Sequence, residues 1–386
     1  MFNDEELPQL RESVRECARG DQRLLQELRT EAVSLKHSVR PIHSRTTTAV
    51  SLVASDGGNN SLQFDPFFVH LVRVVDSYGK QLCLDAISPS TDTDRLSERQ
   101  FESNGTPRTA LGRLMSALDI RSRLLSDLST MIPKGELVRK HPDKVSPSWV
   151  MVYRDLVEWA VLFDTIMEGK FGTDTLLVRD GLLRSKIFVR DLFVKMCNMV
   201  TDRIGEIARK DKRTIFLVGL AKHSKVLQRY QLAMALEDVF PGGSPRFVRI
   251  PRELEAKAYV WPEWARGEET GEGGELPKFV AGVLYLVRFG SLKNDPVWSV
   301  DILNSQIEQD QEIFGYLLAD AINGFPIPYY PRCLQRAHEY ATISGFDQDI
   351  LQDEVYNAVR DILPESNKYI VDTIRLQTDV GKRRYE

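Results

Sequence analysis

The chain has 386 residues, 42% of them hydrophobic and 27% charged, a globular composition with length enough for about two or three units of ~150 residues. Lys and Arg number 51 against 55 Asp and Glu, a net charge of −4, which excludes a nucleic-acid coat protein held by a global positive field but leaves room for a basic groove. Cys17, Cys83, Cys197 and Cys333 form no Cys-x-x-Cys pair and no His stands at finger spacing, against a structural zinc site or a disulfide framework. A reducing compartment follows, and with no transmembrane run or signal peptide legible, a cytoplasmic location is expected.

Residues 4 to 36 carry Leu7, Leu10, Val14, Leu24, Leu25, Leu28 and Leu35 among alternating charges, predicting one or two amphipathic helices. The run from Ala49 to Ser55 predicts a strand that stops at the glycine turn Asp56-Gly-Gly-Asn-Asn60. Phe67 to Asp76 and Gln81 to Ile87 predict a hairpin around Ser77-Tyr-Gly-Lys80. Residues 88 to 108 predict a loop, and the leucine spacing from Leu111 to Leu128 a helix. From Ser148 onward helix and strand alternate: helix 149–167, strand 175–179, helix 186–209, strand 214–220 and helix 224–236, the pattern of an α/β sheet with parallel pairing. Arg266 to Glu275, rich in Gly and Glu, predicts a mobile surface loop. A strand at 279–289, a helix at 310–322, a Pro-rich loop at 325–331, a helix carrying His338, another at 348–362 and an apolar run at 369–374 complete the chain. The expected division is an N-terminal helical segment 1–48, a main domain 49–376 with a helical insertion at about 88–147, and a basic tail 377–386.

Two predicted strands end in Asp-Gly, at Asp56-Gly57 and Asp180-Gly181. An acid at a strand's carboxyl end projects its carboxylate over the sheet edge, where open α/β folds bind ligands, although a single Asp-Gly is as well explained by a turn. Glu158 adds a third acid in an apolar helix, with Asp155 and Asp164 as rivals for its role; a solvated helix face is the plainer reading of each. In Phe325-Pro-Ile-Pro-Tyr-Tyr-Pro331 the prolines fix Tyr329 and Tyr330, and His338 follows in the next helix, either as an ordinary helical His or as a nitrogen donor to a divalent metal. Lys222 lies between a buried strand and a helix N-terminus, a place that favours anions, or it is a surface loop residue with Ser224 as an N-cap.

In this order, Asp56-Gly-Gly, Glu158, Leu-Val-Arg-Asp180-Gly, Val-Gly-Leu-Ala-Lys222 and Pro-Ile-Pro-Tyr329 with His338 nine residues on, the motifs resemble the NurA nuclease family over roughly Ala49 to Ala341. The resemblance implies an RNase H-like mixed sheet flanked by helices, and a metal-dependent deoxyribonuclease that hydrolyses phosphodiesters with manganese or magnesium, two ions in number. It implies a homodimer that works with a HerA-type hexameric ATPase in DNA end processing, repair or antiviral defence. Residue by residue, it implies Asp56, Glu158 and Asp180 as carboxylate ligands, His338 as a ligand or proton-transfer group, Tyr329 as a support and Lys222 as a phosphate contact; if the cluster assembles, Asp56, on the central strand of this fold type, is the acid placed to bridge two ions. The first motif departs from the family in having Gly58 where a small hydroxyl residue often follows the first glycine, and a long insertion separates the first two acids. A second reading of the same chain is a DNA-holding subunit of a HerA-type complex with weak catalysis. No Gly-x-Ser-x-Gly elbow and no phosphate-binding Gly-x-x-x-x-Gly-Lys loop occurs, so ATP-driven movement would come from a partner.

Overall fold

The computed structural model describes residues 6–45, 50–64, 67–259, 278–342, 345–371 and 373. Its strands are β1 (Arg40–Pro41), β2 (Val50–Phe64), β3 (Phe67–Asp76), β4 (Gln81–Ile87), β5 (Asp174–Asp180), β6 (Ile215–Ala221), β7 (Arg246–Arg249), β8 (Gly282–Arg288) and β9 (Val297–Leu303). Its helices are α1 (Glu6–Gly20), α2 (Gln22–Leu35), α3 (Thr93–Glu98), α4 (Ala110–Ala117), α5 (Leu125–Leu128), α6 (Gly135–Lys140), α7 (Trp149–Glu168), α8 (Leu192–Lys210), α9 (Lys225–Leu236), α10 (Arg252–Ala256), α11 (Asp310–Ala321), α12 (Arg332–Ala341) and α13 (Gly345–Ile362).

All nine strands join one sheet in the order β1-β7-β8-β9-β6-β5-β2-β3-β4. The antiparallel meander β2-β3-β4 continues through β5 and β6, both parallel to their inner neighbours. This is the expected RNase H-like core, extended on its far side by the antiparallel strands β9, β8, β7 and β1. Period-two alternation divides the apolar side chains between two faces. Leu177 and Leu217 pack with α4, α7 and α8 on one face, while Leu176, Val178, Phe216 and Val218 pack with α11 and α12 on the other. A third cluster joins α2 and α9 to β7 and β8 through Leu35, Tyr230, Val248 and Leu286.

Several expected elements come out differently, each for a local reason. Asp56-Gly57 is no turn: β2 runs on to Phe64, paired residue for residue with β3 from Ser55–Asp76 to Phe64–Phe67. Gly57 is where Glu158 of α7 lies against the strand, and a Cβ there would collide with the Glu158 carboxylate. The helix read at 111–128 stops after Ala117, because Asp119 adopts a left-handed conformation (φ 60°) and Ile120 N–H bonds back to the Met115 carbonyl, a Schellman-type ending. The loop read at 88–108 contains α3, N-capped by Asp92. The helix read from residue 186 begins only at Leu192, after Arg190 takes a φ of 52°. The strands β7 and β9 were not legible as elements. The loop at 266–275 lies outside the described residues, as do residues 372, 374 and the tail; residues 369–371 and 373 of the terminal apolar run are helical.

Two polar devices keep the centre of the sheet in register. β9 pairs with β6 only over Val218–Ala221, and beyond that point Gln306 takes over: its Oε1 accepts from Leu217 N–H and its Nε2 donates to the Ile215 carbonyl. Gly219 lets the chain that follows Asp180 cross β6, because a Cβ there would meet the Gly181 carbonyl and the Leu183 nitrogen. Those are backbone atoms and cannot rotate away. Gly219→Ala is therefore expected to lower stability by about 1–3 kcal/mol, the usual cost of overpacking, and to displace Asp180; urea unfolding of wild type and variant measures the difference.

Candidate functional site

The parallel pairing of β2 with β5 ends at Ser55–Arg179, and the next residue on each strand is an acid. Asp56 and Asp180 therefore leave neighbouring strands at the same level and on the same face, since successive side chains alternate. Arg179, one residue earlier, points the other way and meets Asp155 and Glu158 of α7 at 2.8 and 3.6 Å. The face shared by the two aspartates is the one covered by α12.

From α12, His338 Nδ1 stands 2.7 Å from Asp56 Oδ2. An ionised carboxylate can only accept, so in this contact Nδ1–H donates. Asp180 Oδ1 accepts from the Tyr330 hydroxyl at 3.4 Å, and Tyr330 packs edge-on against Trp298. Lys222, two residues beyond the β6 residue opposite Asp180, places its ammonium 5.0 Å from the centre of the Tyr330 ring. Its charge lowers the Asp180 carboxyl, as does His338, yet Asp180 still lies above the usual carboxylate range because burial and the neighbouring Asp56 raise it. The Tyr330 hydroxyl is pushed far up by burial and then by the two aspartates, so it stays a donor.

Glu158 approaches β2 from the α7 face through the opening at Gly57. Its side chain is 14% exposed and forms ion pairs with Arg154 at 3.2 Å and Arg179 at 3.6 Å. Burial pushes its carboxyl up to about 7, Asp155 and Asp56 add to the rise, and the two guanidiniums only partly offset it. Of its rivals, Asp155 is engaged by Arg179 and Asp164 by Arg113, which leaves Glu158 as the acid lying against β2.

The structure thus gathers Asp56, Asp180, His338 and Lys222 on one face and sets Glu158 against the same strand from the other. Tyr329, the aromatic picked from the sequence, has a φ of 55° and gives its backbone carbonyl to the Trp298 indole N–H at 2.6 Å. The hydroxyl that reaches Asp180 belongs to Tyr330. Adjacent tyrosines in a Pro-rich loop carry no periodicity to separate them, so the sequence offered no signal for that choice. Arg179, the cation between the two faces, was legible from alternation beside Asp180 but was not singled out.

Carboxylate oxygens with one imidazole are the donor set of a hard divalent ion such as magnesium or manganese. Asp180, raised by desolvation and by the buried Asp56 beside it, is the electrostatic counterpart of such a site. Among the described residues no group of three or more His, Cys, Asp or Glu side chains is already arranged around a common point. The fit to a cation thus rests on donor chemistry and shared burial.

No protein-family model and no curated protein matches the chain. Among solved structures it is similar to the NurA nuclease from Sulfolobus solfataricus, with 14% identity, 94% of this chain and 99% of that chain covered, and a TM-score of 0.45. It is also similar to a NurA bound to dAMP and manganese, with 13% identity, coverage of 93% and 99%, and a TM-score of 0.40. An Argonaute from Marinitoga piezophila in complex with guide RNA and target DNA matches over 77% of this chain and 30% of that chain at 11% identity and a TM-score of 0.24. The functional reading rests on the side chains around Asp56. No described helix is long and apolar enough to cross a membrane.

The raised Glu158 carboxyl makes stability depend on pH. Between its ordinary value of 4.5 and about 7, the folded chain keeps a proton on Glu158 that the unfolded chain has released, so stability falls as pH rises through that window. Glu158→Gln should flatten this fall; urea unfolding at the two ends of the window measures it, and an unchanged slope would place the proton elsewhere.

Proposed function

We propose that the chain is a divalent-metal-dependent deoxyribonuclease that hydrolyses phosphodiester bonds at the face shared by Asp56 and Asp180. The observation that carries this reading is the level placement of two carboxylates, Asp56 and Asp180, on adjacent parallel strands and on one face, flanked by His338 and Lys222. Asp56 and Asp180 would hold the cation, manganese in preference to magnesium because an imidazole is at hand, with Glu158 as the third carboxylate and His338 as the nitrogen donor. When bound, two such ions lower the pKa of an attacking water and stabilise the leaving oxygen.

The chain's own residues supply the rest. Lys222 attracts a non-bridging phosphate oxygen to the mouth of the site by charge and by its place before the α9 N-terminus. Tyr330 keeps one oxygen of Asp180 hydrogen-bonded and so fixes the direction of the other. His338 Nδ1 orients Asp56; its Nε2 would serve either as that nitrogen donor or, left outside the coordination, to hold or release a proton as the leaving oxygen is protonated. As assembly, we propose a homodimer acting with a HerA-type hexameric ATPase, to which the N-terminal helices contribute contacts: α1 buries none of its residues and exposes Leu10 and Val14.

Asp56→Asn keeps the shape of the side chain and removes the charge, so it should leave the fold intact and lower cleavage by about 1,000-fold or more, the loss of several kcal/mol of charge stabilisation. His338→Ala should retain partial activity. End-labelled single- and double-stranded DNA incubated with purified protein, with manganese, magnesium or chelator, checks both: chelation should abolish cleavage and manganese should support it best. Cutting by Asp56→Asn at the wild-type rate in manganese would remove the site; absence of cutting by the wild type in every metal would leave a DNA-holding subunit.

A further inference from the structure

Beside His338 a cleft of about 810 Å³ opens, lined among others by Lys222, Phe325, Arg332, Arg336 and Glu339. Three of these side chains are cations, and among the described residues none of the three has an ion-pair partner, although most buried or helical arginines elsewhere in the chain do. Glu339 is the single acid in the lining. Lys222 is shared with Asp180, but Arg332 and Arg336 carry positive charge outside any ion pair among the described residues, and on a chain of net charge −4 that charge, gathered beside Asp56 and Asp180, marks a place for an anion that is itself positioned for the carboxylates' cation. Arg332 and Arg336 are one helical turn apart on α12 and so lie on one side of it, spaced to follow a chain of phosphates.

The lip of the cleft is an aromatic ring. Phe325 is 84% exposed, and a single exposed apolar side chain would mean little were its loop not held rigid. Gln335, 9% exposed, accepts from Ile327 N–H at 2.9 Å and donates to the Ile327 and Tyr330 carbonyls at 3.1 and 2.8 Å. Gly324 passes so close to the Ile327 and Tyr330 carbonyls that a Cβ would collide with both. The prolines at 326, 328 and 331 remove further freedom. A rigid loop that presents a bare aromatic face beside unpaired cations has the composition of a base-stacking platform.

We propose that this cleft holds the single-stranded end of the substrate, with one base stacked on Phe325 and successive phosphates on Arg336 and Arg332, and that it leads the strand to Asp56. The proposal rests on the nuclease reading for its substrate class. An aromatic face in a cleft can stack a base only where that base is unpaired, since inside a duplex both faces of each base are already stacked. The cleft therefore takes an unpaired strand, and duplex ends reach the carboxylates only after opening.

The test is equilibrium binding, in excess chelator so that nothing is cut, of a fluorescent oligothymidylate, the same strand with abasic sites, and a blunt duplex. Phe325→Ala should weaken binding of the oligothymidylate about tenfold, the loss of one base–aromatic stack, and Phe325→Trp should restore it. The abasic strand should bind wild type and Phe325→Ala alike, and duplex binding should hardly change. Arg332→Gln with Arg336→Gln should weaken all single strands and reduce the salt dependence by about 1.4, two phosphates at roughly 0.7 each. Equal binding of the oligothymidylate by wild type and Phe325→Ala overturns the proposal, and so does an equal loss on the abasic strand; loss of association with a protein partner alone would reassign Phe325 to a protein contact and likewise overturn it. If Asp56→Asn abolishes cleavage while Phe325→Ala binds normally, only the cleft assignment fails. If binding depends on Phe325 in a protein that cuts nothing in manganese, the cleft stands and the nuclease reading fails.

Discussion

Asp56 and Asp180 leave adjacent strands at the same level, and strands in a sheet lie only about 4.8 Å apart. Two carboxylates so placed, in a region largely closed to water, repel one another, and Asp180 is raised above the usual range as a result. The surroundings divide that cost: Lys222 and His338 supply positive or proton-donating groups from two other elements, and the Tyr330 hydroxyl bonds to Asp180. This arrangement carries excess negative charge where a core would carry none. A divalent cation is the natural means of resolving it.

Much of the nearby architecture serves to hold that face. Gly57 admits the Glu158 carboxylate against β2, Gly219 lets the chain after Asp180 cross β6, and Gln306 replaces the missing partner strand along the start of β6. On the far side of the sheet, Arg179 ties β5 to α7 through Asp155 and lies over the Trp159 ring at 4.5 Å. The strands that present the two aspartates are thus fixed from the face opposite to the one they act on, and the acting face is left to α12 and the Pro-rich loop.

The α/β alternation from Trp149 to Leu236 was legible because each element there has one clear period, with buried runs such as Leu176-Leu-Val178 for strands and a wide apolar stripe for α7 and α9. The Ser77–Lys80 hairpin was legible from its turn chemistry. β2 was cut short because Gly-Gly-Asn-Asn has turn composition, whereas the tertiary structure uses Gly57 for close approach of a helix and lets β3 impose the strand. β7 and β9 leave no clear local pattern because they are short, or interrupted by polar residues such as Ser299 and Asp301 whose partners come from distant parts of the chain, Ser224 and Arg184. At the site, the order of acids and glycines singled out Asp56, Asp180, Lys222 and His338, which the fold brings to one face. The choice of Tyr330 over Tyr329 turned on a left-handed backbone at residue 329 that no local pattern announces.

A divalent cation at the Asp56–Asp180 face can be detected by binding, without reliance on catalysis. Titration of the purified protein with manganese, followed by the loss of the free-ion electron paramagnetic resonance signal, should show saturable uptake by the wild type and loss of that uptake when Asp56→Asn and Asp180→Asn are combined, with the circular dichroism spectrum unchanged. Equal uptake by wild type and the double variant would place the cation elsewhere on the protein.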